Sequence, residues 1–224
     1  MNPVIITFEG IDGTGKGTQM QICADRLSSL GKKVYCFSFP MYETFFGSQV
    51  GNYLTGKEGV RADTVDGKSM ALWFALDRFD AFRNFDTSPY DIILINRYVL
   101  SNAVYQSIRD CDEGKPDLLD FVYNLEFNRL GIPEPDRILL FDMDLDAASE
   151  NVKHKGFREY VGSDGKDVYE SISGIQLRAR QKYIEYASTL KNVTVLPCME
   201  NGKLKSIEDI AKMVEDALSD LPVI

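Results

Sequence analysis

The run Phe8-Glu9-Gly10-Ile11-Asp12-Gly13-Thr14-Gly15-Lys16-Gly17-Thr18-Gln19 constrains this chain more than any other stretch, because of what flanks it. An apolar segment, Val4 to Phe8, precedes it, and Met20, Cys23, Leu27 and Leu30 recur after it at helical spacing. Strand, glycine-rich turn and helix is the setting a phosphate-binding loop needs. Gly13 and Gly15 let the backbone turn sharply and point successive N–H groups inward. The helix opening near Lys16 adds the positive end of its dipole, and Lys16 adds a full charge for β- and γ-phosphates. Gly10 to Lys16 fits G-x-x-x-x-G-K, but Gly17 stands where Ser or Thr is usual, with Thr18 one place later. A turn that only joins strand to helix is the simplest rival. A dinucleotide fingerprint is a second rival and fails: counted from Gly13, its third glycine position is Thr18, and no acidic residue ends the next strand. Gly10, Ile11, Asp12, Gly13, Thr14, Gly15, Lys16, Gly17 and Thr18 are therefore expected to hold the phosphates of a nucleoside triphosphate.

Bulk properties narrow the classes. A length of 224 residues suits one compact domain, 1–224, with room for a small insertion. No apolar run approaches the ~20 residues of a membrane span. The N-terminus runs directly into a strand, without a basic region or cleavage site, so a secretory signal is not expected. Cys23, Cys36, Cys111 and Cys198 are scattered and read as reduced thiols of a cytoplasmic protein. His154 is the one histidine, which argues against a histidine triad or a zinc site. A net charge of −9 disfavours sequence-independent binding to nucleic acid. An acidic protein that binds a polyanion must gather its cations locally.

The remaining chain alternates strand and helix. Lys33 to Phe39 reads as a second strand stopped by Pro40, which places Phe39-Pro40-Met41-Tyr42 at a carboxyl edge, where open α/β sheets bind ligands. A short helix is expected around Ser48 to Leu54. A long one follows from Lys68 to about Phe85, apolar most of the way round and so expected to be largely buried. Within it Phe74 and Arg78 share a face. Arg78 needs an anion, a carbonyl or a ligand there, and an ion pair with another element is as good a reading as a ligand contact. Asp91 to Ile95 has the continuous apolar character of a buried parallel strand and delivers Asn96-Arg97-Tyr98 to the same edge. The next helix takes Ser101 as its cap, with Asn102 and Tyr105 on one face. Asp117 caps a helix running to Leu130, and Arg137 to Asp142 is the fourth strand. Residues 153–169 interleave Lys153, Lys155, Arg158 and Lys166 with glycines, as a mobile cationic lid would, although a solvated surface loop shares that composition. Val193 to Leu196 is the fifth strand. Ser206 and Asp209 open a terminal helix whose Ile207, Ile210, Val214 and Leu218 are expected to face inward. The expected fold is α/β, a doubly wound five-stranded parallel sheet flanked by helices.

No Ser–His or Cys–His pair supports a protein nucleophile. Phosphoryl transfer needs none, since positioning and positive charge carry it. If the acceptor is a phosphate monoester, its oxygen is already anionic and a general base is unnecessary. A cation must hold it, and Arg97 at a strand end beside the loop is the candidate.

Six stretches, Phe8 to Gln19 (FEGIDGTGKGTQ), Phe39 to Tyr42 (FPMY), Leu72 to Arg78 (LWFALDR), Asn96 to Gln106 (NRYVLSNAVYQ), Leu125 to Asp136 (LEFNRLGIPEPD) and Asp167 to Glu170 (DVYE), occur in the order found in thymidylate kinases. The chain resembles that family, within the P-loop nucleoside monophosphate kinases, over nearly its whole length. The resemblance implies phosphorylation of dTMP to dTDP by ATP with Mg2+, in a cytoplasmic homodimer without nucleic-acid or membrane partners. It implies that Lys16, Arg97, Arg158 and Asp12 serve catalysis. Phe74 would stack on thymine, Arg78 would donate to its O4, and Asn102 would meet its N3 edge. Tyr105 would crowd the 2′ position, with Gln106 also at the substrate, and Pro40 and Tyr42 would wall the sugar and acceptor phosphate. Asp12, Asp167 and Glu170 would lie near the metal. Lys155 or Lys166 could replace Arg158 as the lid cation.

Two departures bear on the metal: Gly17 lacks the usual hydroxyl, and Asn96 replaces the aspartate that most relatives place before Arg97. Two rivals remain: a kinase for another deoxynucleoside monophosphate or for a free nucleoside, and a P-loop binding protein with little turnover. Asn96 is the wrong residue for the base a free hydroxyl would require.

Overall fold

A computed structural model of the chain describes residues 2–154 and 174–221. Its centre is a parallel sheet of β1 (Val4–Glu9), β2 (Val34–Ser38), β3 (Ile92–Asn96), β4 (Arg137–Asp142) and β5 (Val193–Pro197), in the order β2-β3-β1-β4-β5. The two most apolar runs became its middle: β1 is buried throughout, and Ile92 to Ile95 of β3 are buried. Phe8 lies level with Asn96 across β1 and β3, and Glu9 with Leu140 across β1 and β4. The chain turns back across the sheet at β1, and the carboxyl ends of β1, β2 and β3 open onto one crevice.

The described helices are α1 (Lys16–Ser29), α2 (Phe45–Thr55), α3 (Gly67–Phe82), α4 (Val99–Asp112), α5 (Leu119–Tyr123), α6 (Leu145–His154), α7 (Ile175–Ala187) and α8 (Ile207–Leu218). Helix α5 runs on into wider π-type turns, Asn124–Arg129, so the helix expected to reach Leu130 is present with a change of pitch. Thr44 starts α2 three residues earlier than expected by accepting the Gly47 N–H. Asp66 starts α3 by accepting the Ser69 N–H.

Three expectations are corrected, and two elements are new. Helix α3 is not largely buried. Among its apolar residues Met70, Ala71 and Ala75 are inside, whereas Leu72 is exposed and Trp73 and Phe74 are half-buried. It packs on α2 and α4, which cover only part of its circumference. Ser101 does not cap α4, which begins at Val99; Ser101 sits in the first turn and hydrogen-bonds elsewhere. Ile207 is 52% exposed because it is the first residue of α8, beyond the buried stripe of Ile210, Val214 and Leu218. Helix α6 and a small antiparallel hairpin, Met199–Glu200 with Lys203–Leu204, were not anticipated. The hairpin turns on Asn201 and Gly202, both at positive φ, the pairing that suits a two-residue turn.

Candidate active site

The phosphate-type loop is shaped by what presses on it. Gly13 has φ +85°, and a Cβ there would run into the Ala148 carbonyl of α6. Gly10 has φ +136°, and its Cβ would lie 2.7 Å from the Phe141 carbonyl of β4. Gly15 precedes α1 in the left-handed region with open space around it, so conformation alone calls for glycine. Gly17 is different: it is helical, and a Cβ would meet nothing within 4 Å. Lys16 is buried and folds back, its Nζ donating to the Ile11 carbonyl at 2.5 Å and to Thr14 Oγ1 at 3.2 Å. Thr14 Oγ1 donates to the same carbonyl at 3.0 Å. The charge is thus held at the centre of the turn. Thr18 is exposed on α1.

A cavity of about 300 Å³ opens from this loop along the carboxyl edge. Asp12, Gly13, Gly15, Lys16 and Gly17 line one end. Pro40, Tyr42, Phe74, Arg78, Arg97, Asn102, Tyr105 and Gln106 line the rest. The residues expected at the acceptor are therefore all brought together, from α3, α4 and the segments after β1, β2 and β3. Gly10, Ile11, Thr14 and Thr18 support the loop without lining the cavity.

Arg97 sits at φ +62°, uncommon for a side chain of its size and the kind of strain that persists where surrounding bonds overdetermine the backbone. Its N–H donates to the Phe8 carbonyl at 3.1 Å. The next N–H, of Tyr98, donates to Glu9 Oε1 at 2.7 Å. Glu9, fully buried, also accepts the Ser101 N–H at 3.3 Å, the Ser101 hydroxyl at 2.5 Å and the Tyr183 hydroxyl at 3.1 Å. A carboxylate in that place also meets the positive end of α4. Arg97 then reaches across, its Nη2 donating to Asp12 Oδ1 at 2.6 Å, with its guanidinium 5.7 Å from the Tyr105 ring. Burial pushes the Arg97 guanidinium down, but Asp12, Tyr105, Tyr183 and Glu9 together hold it well above its ordinary pKa. Gln176, in the first turn of α7, completes the cluster. Its Nε2 donates to Asp12 Oδ2 at 3.1 Å, and its Oε1 accepts the Asp12 N–H at 3.3 Å and the Tyr105 hydroxyl at 3.2 Å.

Of the two readings left open for Arg78, the structure shows the ion pair, and it also places the side chain at the cavity wall. Arg78 is 2% exposed and makes an ion pair with Glu126, Nε to Oε2 and Nη2 to Oε1 both at 2.6 Å, and it lines the cavity beside Phe74. Burial pushes its guanidinium down, but Glu126, followed by Asp77 and Tyr98, holds it above the ordinary value. Asn102 Nδ2 donates to Glu126 Oε1 at 2.9 Å and to the Ala71 carbonyl at 3.0 Å. Asp77, beside Arg78 in sequence, accepts the Met41 N–H at 3.1 Å and the Thr44 hydroxyl at 3.3 Å, so it fixes the segment that carries Pro40 and Tyr42. Burial raises its pKa.

At the end of β3, Asn96 Nδ2 donates to Ser38 Oγ at 3.0 Å, and its Oδ1 is buried without a hydrogen-bond partner among the described residues. Arg158, Asp167 and Glu170, with Lys155, Lys166 and nearly all of the lid at 153–169, lie outside the described residues. Among the described residues no three Cys, His, Asp or Glu side chains gather as a metal site. None of the described helices is long and apolar enough to cross a membrane. Sequence reasoning missed Glu9, Gln176 and Glu126. An acid closing an apolar strand could have flagged Glu9; nothing local marks the other two.

The family model for thymidylate kinase matches residues 8–207. A thymidylate kinase from Mycobacterium tuberculosis is 30% identical over 188 residues, 83% of this chain and 86% of that one. A probable thymidylate kinase from Methanocaldococcus jannaschii is 25% identical over 221 residues, 98% of this chain and 97% of that one. Among solved structures, a thymidylate kinase from Candida albicans has the same fold with a TM-score of 0.72 at 21% identity, covering 97% of this chain and 92% of that one.

Proposed function

The chain belongs to the thymidylate kinase family, and from that premise we infer that it passes the γ-phosphoryl group of ATP to dTMP, giving dTDP, within the cavity described above. The observation that carries this reading is one continuous space joining the Lys16 loop to Arg97, Phe74, Arg78 and Asn102. Lys16 and the loop N–H groups hold the donor phosphates. Arg97 holds the acceptor phosphate, leaving its pairing with Asp12 to do so, and Asp12 turns to the sugar and the metal. Phe74 stacks on thymine, Arg78 donates to O4, Asn102 accepts from N3, and Tyr105 closes the 2′ position with Gln106 behind it. Pro40 and Tyr42 wall the sugar side.

The dTMP phosphate oxygen attacks as an anion, so the protein need remove no proton. The developing charge is met by fixed cations, a setting in which electrostatic preorganisation lowers the barrier. Magnesium arriving with ATP would supply positive charge against the transferring phosphates, and Asp12, Asp167 and Glu170 are the residues that would hold it. Two observations favour its fit: the Asp12 carboxylate stands at the loop end of the cavity, and the buried Asn96 Oδ1 lacks a partner among the described residues, so it can accept from a metal-bound water. Asp167 and Glu170 complete the metal side, and Arg158 supplies the cation of a lid over residues 153–169 in an otherwise single domain. We place the enzyme in the cytoplasm as a homodimer, and exposed Leu72 on α3 is compatible with a partner on that face. A coupled assay of ADP formation with ATP and a panel of monophosphates tests the reading: dTMP should be the best acceptor. Preference for another monophosphate, or ATP binding without turnover, would overturn it.

A further inference from the structure

The base end of the cavity rests on a carboxylate that none of these roles uses. Glu126 is fully buried in the π-type turns after α5, a local geometry that recurs at functional sites. An ionised carboxylate can only accept hydrogen bonds. Glu126 Oε2 takes Arg78 Nε, and Oε1 takes both Arg78 Nη2 and Asn102 Nδ2. Two of the three guanidinium nitrogens are thereby used on the protein side. The third, Nη1, makes no hydrogen bond among the described residues, and Arg78 lines the cavity. On Asn102 the amide NH2 is claimed by Glu126 and by the Ala71 carbonyl, both acceptors, so the amide cannot turn round. Its Oδ1 is left buried without a partner among the described residues, in a side chain that also lines the cavity.

We propose that Glu126 is a positioning residue that sets the hydrogen-bond polarity with which this cavity reads a pyrimidine. By gripping both side chains from behind, it presents a donor from Arg78 next to an acceptor from Asn102. That pattern fits a 4-keto pyrimidine, with a carbonyl beside an N3–H. A 4-amino pyrimidine inverts both positions: its amino group meets Arg78 and its bare N3 meets Asn102 Oδ1. The site's own groups would then be left unpaired, which is the strong form of discrimination. This inference rests on reading the cavity as the dTMP base pocket.

The test compares dTMP with 5-methyl-dCMP, which share methyl, sugar and phosphate and differ only at position 4 and N3. Wild type should favour dTMP. In Glu126→Gln the side chain offers one oxygen and one NH2, so it cannot accept along both edges. The kcat/KM for dTMP should fall about tenfold, mostly through KM, and the preference over 5-methyl-dCMP should narrow by about tenfold, as loss of one charged hydrogen bond implies. The KM for ATP should stay within about twofold of wild type, since no loop contact involves Glu126. Glu126→Asp keeps the charge beside Arg78, and so supports the fold, but is too short to hold both partners; it should narrow the preference too. If both folded variants lose activity equally on the two nucleotides, Glu126 is only a core ion pair and the proposal fails. Asn102→Ala separates the two levels. If it abolishes the preference while the Glu126 variants keep it, the positioning role alone is refuted. If Asn102→Ala keeps the preference, or wild type shows none, the base-pocket reading itself is refuted.

Discussion

Glu9→Gln removes one charge from the centre of the molecule at nearly constant shape. The carboxylate takes two N–H groups on Oε1, from Tyr98 and Ser101, and two hydroxyls on Oε2, from Ser101 and Tyr183. A glutamine must turn its NH2 toward one pair. Hydroxyls can reverse and accept, whereas backbone N–H groups cannot, so the amide oxygen stays with Tyr98 and Ser101. Those two bonds drop from charged to neutral strength, and α4 loses an anion at its positive end, a gross loss of about 2–3 kcal/mol. Relief of the buried charge's desolvation returns part of this, for a net destabilisation of about 1–2 kcal/mol. For a chain of this size that lowers Tm by about 3–6 °C. The functional effect should be selective. Arg97 holds its left-handed φ between the Phe8 carbonyl and the Glu9-bound N–H of Tyr98, so a looser grip lets its guanidinium wander. We expect kcat/KM for dTMP to fall about tenfold, the scale of one weakened charged contact, with the KM for ATP unchanged. Calorimetry and the coupled assay read the two effects. A Tm at or above wild type, or a parallel rise in the KM for ATP, would refute this account of Glu9.

Three further outcomes follow from the structure. Gly17→Ser has room for its Cβ and ordinary helical φ, so it should raise stability by about 0.5 kcal/mol, and its hydroxyl should lower the magnesium concentration needed for half-maximal rate; a fall in Tm in a thermal scan would contradict the first part. With dUMP in place of dTMP, loss of the methyl contact should reduce kcat/KM by about 10–200-fold, and complete inertness at millimolar concentration would count against the pocket. Asp117 accepts from Tyr186, Leu119 and Lys182; burial pushes its carboxyl up, but these partners outweigh that and leave it below the usual range. Its stabilisation is therefore fully present above the unfolded value, near pH 4, and is lost as pH falls through the depressed folded value. Asp117→Asn should be destabilised by about 1 kcal/mol at neutral pH in urea unfolding, and the gap to wild type should close only below about pH 4; a gap that closes at higher pH would refute the assignment.

The sheet was legible because Val4 to Phe8 and Ile92 to Ile95 are continuous apolar runs, and the loop because its glycines, lysine and flanks agree. The acceptor residues were legible mainly through the family resemblance, since periodicity alone could place Phe74 and Arg78 on one face but not say what that face met. Contacts between distant parts of the chain were not. The partner of Arg78 lies 48 residues away, and Gln176 reaches Asp12 across 164. Neither separation leaves a periodic trace. Helix α3 was misjudged because an apolar circumference says nothing of how many neighbours exist to cover it. The Asn201-Gly202 hairpin was missed despite its turn residues, because strands of two residues are too short to show alternation.

The loop at Gly13 is held from two directions. Asn151 of α6 donates to the Gly13 carbonyl at 2.9 Å, and Gln176 of α7 grips Asp12 next door. The described chain on either side of residues 155–173 is therefore tied to neighbouring points of one loop. Joining such points with more chain is thermodynamically cheap: the closure entropy rises only logarithmically, by about 0.6 kcal/mol for each doubling of length. Added length between those two fixed ends is therefore expected to cost the sheet little. The two pins cannot be traded in the same way, because each is a single side chain whose reach is set to a fraction of an ångström.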